Sequence, residues 1–253
     1  MQLVHDTWFM YRRQLRRQMR VPVWIVISLI QPILYLVLFG PLLKGVVDNI
    51  PGFTGNEWAF FVPGLIVQLG LFGTAFAGFS IIDEVRSGVI ERTRVTPLSR
   101  MSMLLGRVLK DMTVLLVQAT VLIGMGVALG LRAPWQGVVA GVLIMCLLGG
   151  AFASLSYAAG LTFKDEGALA AVVNFVTVPI LLLSGILLPM NSGPNWLQNV
   201  AKGNPVLYIV DSIRSLFLGH NGDPHVVPGL LCAAVIAAVG LAVGTRTFHN
   251  EQA

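Results

Sequence analysis

From Val23 to Leu43 the chain runs without one charged side chain, far enough to cross a lipid bilayer as a helix. Such a run leaves few folds open. In hydrocarbon no water satisfies the backbone N–H and C=O groups, so only helices and closed barrels cross it. Long apolar runs without period-two alternation select the helix. Five more runs follow: Trp58 to Ile82, about Val108 to Leu131, Trp135 to Phe163, Ala168 to Leu188, and Val226 to Gly244. Asp83 ends the second, Lys164-Asp165-Glu166 the fourth, Pro189 the fifth and Arg246 the sixth. The third carries Lys110 and Asp111 in its first turns, which places that end among the headgroups. Six spans of about 20 residues consume roughly 120 residues, leaving no loop large enough for a separate soluble domain.

Composition excludes the competing classes. Hydrophobic residues are 55% and charged residues 11%, with a mean hydropathy of +0.78. A soluble domain carries about 25% charged residues, so an ordinary soluble enzyme and a disordered chain are both ruled out. The expected fold is an all-α integral membrane protein with six transmembrane helices. Residues 1–22 form a separate N-terminal element and residues 23–253 the membrane domain. The first apolar run exceeds a signal-peptide core and lacks a small-residue cleavage site after it, so it is expected to be retained. Cys146 and Cys232 lie in apolar runs, and the four histidines are scattered without zinc spacing. No metal centre is expected. The net charge of +5 would suggest nucleic acid in a soluble domain, but here the basic residues flank apolar spans. Membrane lipid is the partner they imply, not nucleic acid.

Orientation follows from lysine and arginine. With the N-terminus inside and six alternating spans, the inside segments hold 13 of the 17 basic residues. These are Arg12, Arg13, Arg16, Arg17, Arg20, Arg86, Arg92, Arg94, Arg100, Arg107, Lys110, Lys164 and Arg246. Lys44, Arg132, Lys202 and Arg214 fall outside. The positive-inside rule then predicts a multi-pass protein of the cytoplasmic membrane with both termini in the cytoplasm.

Three segments between spans carry more than connection. Val4, Trp8, Tyr11, Leu15 and Met19 recur at helical spacing and form one apolar stripe, with Arg13, Arg16, Arg17 and Arg20 opposite. That pattern predicts an amphipathic helix lying in the membrane interface, ended near Pro22; a plain basic flank is the simpler alternative. Residues 83–107 form a charged, amphipathic cytoplasmic segment, longer than a turn requires. It is either a solvated face or a docking surface. Residues 190–225, outside, are too apolar for an exposed loop. Two short re-entrant helices in the outer leaflet, or a packed external cap, both fit. Asp211 and Arg214 stand three apart and pair on one helical turn.

The polar residues within the spans are neutral, among them Ser28, Gln31, Gln68, Gln118, Ser156 and Asn174. They either bridge helices or meet a substrate. Three glycine pairs, Gly126 with Gly130, Gly137 with Gly141 and Gly240 with Gly244, permit close helix contact. Phe72, Phe76 and Phe79 line one helical stripe, as packing or as the wall of an apolar route.

No ionisable group is expected at mid-depth, which argues against an ion-driven carrier. No filter signature marks a channel. Asp165-Glu166 is the only carboxylate pair free between spans, with no catalytic partners expected beside it. No G-x-x-x-x-G-K-[ST] loop occurs, so the chain does not hydrolyse ATP itself. A membrane subunit driven by another polypeptide remains.

Three blocks then resemble a known family. Asp83-Glu84-Val85-Arg86-Ser87-Gly88-Val89-Ile90-Glu91-Arg92, followed by Val95-Thr96-Pro97-Leu98-Ser99-Arg100, resembles the cytoplasmic loop of ABC-2 type exporter permeases. Leu183-Ser184-Gly185-Ile186-Leu187-Leu188-Pro189 resembles the end of their fifth span. Pro194-Asn195-Trp196-Leu197 and Asn204-Pro205-Val206-Leu207-Tyr208-Ile209-Val210-Asp211-Ser212-Ile213-Arg214 resemble their external segment, although the family more often has Leu-Thr at positions 206 and 207. The daunorubicin/doxorubicin-resistance type is the nearest in flavour.

That resemblance implies two six-span subunits, from a second copy or a paralogous permease, and two separate ATP-binding-cassette subunits. ATP and Mg sit on those ATPases, with no cofactor in this chain. It carries the coupling role to Glu84, Gly88, Glu91 and Arg92, with the carboxylates touching the ATPase. It gives an architectural role to Trp196, Asn204, Pro205, Tyr208, Asp211 and Arg214. The substrate route is expected between two copies, lined by Gln31, Gln68, Phe72, Phe76 and Asn174. The low aromatic content of 9% favours an amphipathic, drug-like or lipid-like substrate. A polysaccharide or lipo-oligosaccharide exporter is the alternative within the class, and an ATP-independent carrier or scaffold the alternative outside it.

Overall fold

The computed structural model describes residues 2–21, 23–47, 57–89, 99–186, 190, 193–220 and 222–250. Within them the chain is helical, with no strand. In order the helices are α1 (Gln2–Met19), α2 (Val23–Val47), α3 (Glu57–Ala75), α4 (Gly78–Arg86) and α5 (Arg100–Ala128). Then come α6 (Trp135–Phe163), α7 (Glu166–Leu182), α8 (Asn195–Ala201), α9 (Pro205–Phe217) and α10 (Val226–Asn250).

Five segments among the described residues are long and apolar enough to cross a membrane: in α2, α3 with α4, α5, α6 and α10. The sixth expected span, α7, is a shorter apolar helix of 17 residues, about 25 Å at 1.5 Å per residue against a hydrocarbon core of about 30 Å. It stops at Leu182 rather than Leu188. Gly185 takes φ +71° there, a left-handed conformation suited to glycine, and the chain turns out of the helix. Leu187 to Pro189 lie outside the described residues.

Other boundaries move as well, and α10 runs through Arg246 to Asn250 rather than ending at Gly244. The third span starts at Arg100 rather than Val108, because Ser99 caps it by accepting a hydrogen bond from the Ser102 N–H. Arg107, Lys110 and Asp111 are therefore helical, and the expected loop over 83–107 is partly helix at both ends. The second span is broken at residues 76 and 77 into α3 and α4. Ser156 of α6 stitches that break, donating to the Ala75 carbonyl and accepting from the Gly78 N–H at 2.9 Å. In lipid such freed backbone groups must find protein partners. Gln118 of α5 likewise bonds Ser28 of α2. Neutral polar residues thus bridge helices at both places.

The main core gathers α3, α5, α6 and α9, with Leu36 of α2 and Ala233 of α10. Side chains gain no hydrophobic drive by leaving lipid, so close contact and dispersion hold these helices. Gly240 shows this best. A Cβ there would stand 2.7 Å from the Ala151 carbonyl oxygen of α6, so α10 lies backbone to backbone on α6.

A second cluster sits at the opposite end, joining Met10 of α1, Ile81 of α4, Met103 and Leu104 of α5, Tyr157 of α6 and Phe248 of α10. It places the first and last helices at one end of the bundle, here termed the α1 end. α1 crosses α5 at Gly106, where a Cβ would meet Met10 Cβ at 2.6 Å. Thr7 and Met10 are buried in that crossing. Of the expected stripe, Val4, Trp8 and Met19 remain exposed, and Arg12, Arg13, Arg16 and Arg20 are exposed beside them. The helix therefore has three faces: one on the bundle, one apolar and outward, one basic.

The external segment divides in two. α8 leaves Trp196 at 66% exposure, whereas α9 buries Val206, Ile209, Val210, Ile213, Leu216 and Phe217 against α3, α6 and α10. Helix α9 is thus part of the bundle core rather than a helix resting in lipid.

Candidate coupling site on α4 and the external clamp

Asp83, Glu84 and Arg86 occupy the last turn of α4 and tie it to its neighbours. Glu84 is 4% exposed. Its Oε1 accepts from Gln14 Nε2 at 3.1 Å and from Arg17 Nη1 at 2.8 Å, both on α1. Its Oε2 accepts from Arg107 Nη2 of α5 at 2.5 Å. Arg17 also reaches Asp83 at 2.8 Å, forking across two adjacent carboxylates as a planar guanidinium allows. Arg86 bonds Glu166 at 3.0 Å and stands 3.7 Å from Asp165, tying α4 to the start of α7. Asp165 caps that helix, accepting from the Ala168 N–H. Arg86 is thus the ion-pair partner of that carboxylate pair.

Behind Glu84 the charge is passed inward. Arg107 lies 5.9 Å from the Tyr157 ring centre and 5.8 Å from that of Phe248, within cation–π range of both. Tyr157 donates to Asp111, which also pairs with Lys110. A short turn of helix therefore connects α1, α5, α6, α7 and α10 through charged or polar contacts.

Glu84, expected to touch a soluble partner, is buried, and its carboxylate accepts from Gln14, Arg17 and Arg107 of its own chain. Gly88 takes φ +68° just past α4, with its N–H on the Val85 carbonyl. A side chain there would be strained, so Gly88 sets how the chain leaves α4. Glu91 and Arg92 lie outside the described residues. Arg17 and Arg107 escaped sequence reasoning: the first is one of five arginines near the N-terminus, the second sat in an assumed loop. The capping serine at position 99 was the available signal for α5.

The two external motifs meet at the other end of the bundle. Arg214 Nη2 donates to the Gly185 carbonyl at 2.8 Å and to that of Ile186 at 3.2 Å, and Nε donates to the Phe60 carbonyl at 3.1 Å. Its guanidinium stands 3.8 Å from the Phe60 ring centre. Asp211 lies 3.7 Å away, one turn earlier. Asn204 caps α9 through the Val206 N–H and donates to the Ile180 carbonyl of α7 at 2.8 Å. Pro205 occupies the first turn of α9, where its missing N–H costs nothing. Tyr208 donates to the Lys202 carbonyl at 2.9 Å, closing the α8–α9 turn. Past α9, Asp223 accepts from the His225 N–H and the Ser215 hydroxyl, and the first of these bonds leads in holding its carboxyl below the usual range.

The expected route residues are not all on the surface of the chain. Gln31 is exposed and bonds Tyr35; Asn174 is exposed and bonds its own Ala170 carbonyl. Phe72 and Phe76 are half-buried. Gln68 is 2% exposed, inside the bundle, and its side-chain oxygen accepts no hydrogen bond among the described residues.

Residues 5–218 match the sequence profile of the ABC-2 type transporter family. The daunorubicin resistance ABC transporter permease protein DrrB1 of Streptomyces coeruleorubidus is 26% identical over 234 residues, covering 92% of this chain and 82% of its own. The probable doxorubicin resistance ABC transporter permease protein DrrC of Mycobacterium tuberculosis is 27% identical over 251 residues, covering 96% and 89%. A putative transport permease, ycf38, of Cyanophora paradoxa is 26% identical over 216 residues, covering 85% and 74%.

Proposed function

The chain belongs to the ABC-2 type transporter family, and from that premise we propose what it moves and how it is driven. It is a membrane permease of an ATP-binding-cassette exporter, not an enzyme; hydrolysis belongs to a separate ATPase subunit. The cargo is amphipathic, drug-like or lipid-like, taken from the cytoplasm or the inner leaflet. Relatives named for daunorubicin and doxorubicin resistance support that class. Two copies, or this chain and a paralogous permease, form the membrane unit, and the ATPases carry ATP and Mg below it. Both termini are cytoplasmic and α7 serves as the fifth of six crossings. The 13 of 17 basic residues sorted inside, and the joint packing of Met10 with Phe248, support that orientation. Gln31, Asn174, Phe72 and Phe76 face the route between subunits.

One observation carries the drive mechanism: buried Glu84 is bonded by both α1 and α5 a few residues before the segment holding Glu91 and Arg92. The ATPase pushes on that segment, Gly88 sets its exit, and Glu84 passes the motion to α1 and α5. Glu91→Arg is expected to cut transport by about tenfold or more, the effect of losing one interface ion pair at about 1.4 kcal/mol per decade. Membrane insertion and the thermal stability of the chain stay unchanged. Full transport by Glu91→Arg with an intact ATPase complex would sink the assignment.

The orientation of α1 has its own check. With cysteine placed singly at Trp8 or at Arg16, an aqueous maleimide added from the cytoplasmic side should label position 16 readily and position 8 poorly. Equal labelling would mean the apolar stripe does not lie in lipid.

A further inference from the structure

A pocket of about 240 Å³ opens where α1 meets the bundle. Gln14, Arg17 and Gln18 of α1, Val21 just past it, Ser80 and Glu84 of α4, and Lys110 of α5 line it. We infer that this pocket binds the phosphodiester headgroup of an acidic phospholipid, which wedges α1 against α4 and α5.

Size comes first. Drug-sized ligands occupy pockets of roughly 300–1,000 Å³, so this one suits a headgroup rather than an exported molecule. Chemistry comes next. Two cations from different helices converge, Arg17 and Lys110, with a hydroxyl and an amide between them. Arg17 spends Nη1 and Nη2 on Glu84 and Asp83, leaving further N–H donors of its five for an anion. Glu84 does not repel the ligand as a bare charge, because Gln14, Arg17 and Arg107 already neutralise and occupy its oxygens. Lys110 is balanced by Asp111, which also accepts from Tyr157.

Position decides between lipid and a soluble phosphate. Val21 in the pocket wall is half exposed, and α2 begins at Val23 with Val23, Val26, Ile27 and Ile30 all exposed. A phosphate held by Arg17 and Lys110 would have its acyl chains lie along that apolar face. A free phosphate makes no use of it.

The test uses the full chain in phosphatidylcholine nanodiscs containing a minor share of phosphatidylglycerol, with retained lipid counted by native mass spectrometry. Wild type should retain phosphatidylglycerol in preference to phosphatidylcholine. Gln18→Glu should lower that retention about fivefold, the effect of one unit charge at an anionic headgroup, and Gln18→Lys should preserve or raise it. Gln18 makes no bond in the Glu84 network, so neither change disturbs the proposed coupling. Arg16→Gln makes the same change in net charge on the exposed face and should leave retention near wild type. If Arg16→Gln loses as much lipid as Gln18→Glu, the attraction is diffuse and the pocket is not the site. Release of the lipid by millimolar inorganic phosphate would reassign the pocket to a soluble anion and overturn the lipid source.

Discussion

Glu84→Ala should destabilise the chain by about 3–5 kcal/mol, the cost of removing one partner of a buried ion pair. Arg107 is 3% exposed, and its Nε and Nη1 have no acceptor among the described residues. Glu84 is the carboxylate that compensates it. Cation–π contact with Tyr157 and Phe248 is worth about 0.5–2 kcal/mol and does not replace that carboxylate. The same substitution frees Arg17 and Gln14, so backbone amides of α1 should exchange faster with solvent deuterium while those of α9 do not. Thermal unfolding of the purified chain and hydrogen exchange read the two effects separately. The pair Glu84→Leu with Arg107→Leu should recover much of the lost stability, since an apolar pair often substitutes for a buried ionic one. It should not recover transport, because α1 stays unlinked. Unchanged exchange in α1 after Glu84→Ala would mean that the link is not what holds that helix.

Arg214→Ala should be comparably severe, for a different reason. It removes the donor to the Gly185 and Ile186 carbonyls, and each buried acceptor left unpaired costs about 1–3 kcal/mol. Arg214→Lys keeps the charge but loses the planar fork, so it should fall between wild type and alanine. Solvent labelling of a cysteine at Ser184, which is fully buried, should rise in the order wild type, lysine, alanine. Equal protection in all three would show that the turn after α7 stands without the clamp.

The sequence made some of this legible and left the rest hidden for physical reasons. Apolar runs are visible because lipid demands them, so α2, α6, the apolar stretch of α5 and most of α10 could be placed from residue type alone. The break between α3 and α4 was not visible, because the group that repairs it, Ser156, lies far along the chain on another helix. The early end of α7 was hidden because Leu183 to Leu188 is as apolar as the helix; only Gly185 hinted at the turn. The motif containing Arg214 could be recognised, and its spacing to Asp211 predicted the one-turn pair. Its main partners could not be, since a carbonyl accepting from an arginine leaves no trace in the identity of its residue. Glu84 carried the same ambiguity: a carboxylate in a charged stretch reads as exposed until its two arginines, Arg17 and Arg107, are seen to close over it.

The clamp on α7 bears on how the protein is made. Helix α7 leaves the ribosome well before Arg214, and Gly185 and Ile186 are separated from that arginine by 29 and 28 positions. During that interval the end of a helix too short for the bilayer has carbonyls without their eventual donor. Phe60, synthesised 154 positions earlier, waits for the same side chain. The bonds that hold Phe60 and the end of α7 can therefore form only once α9 has been synthesised.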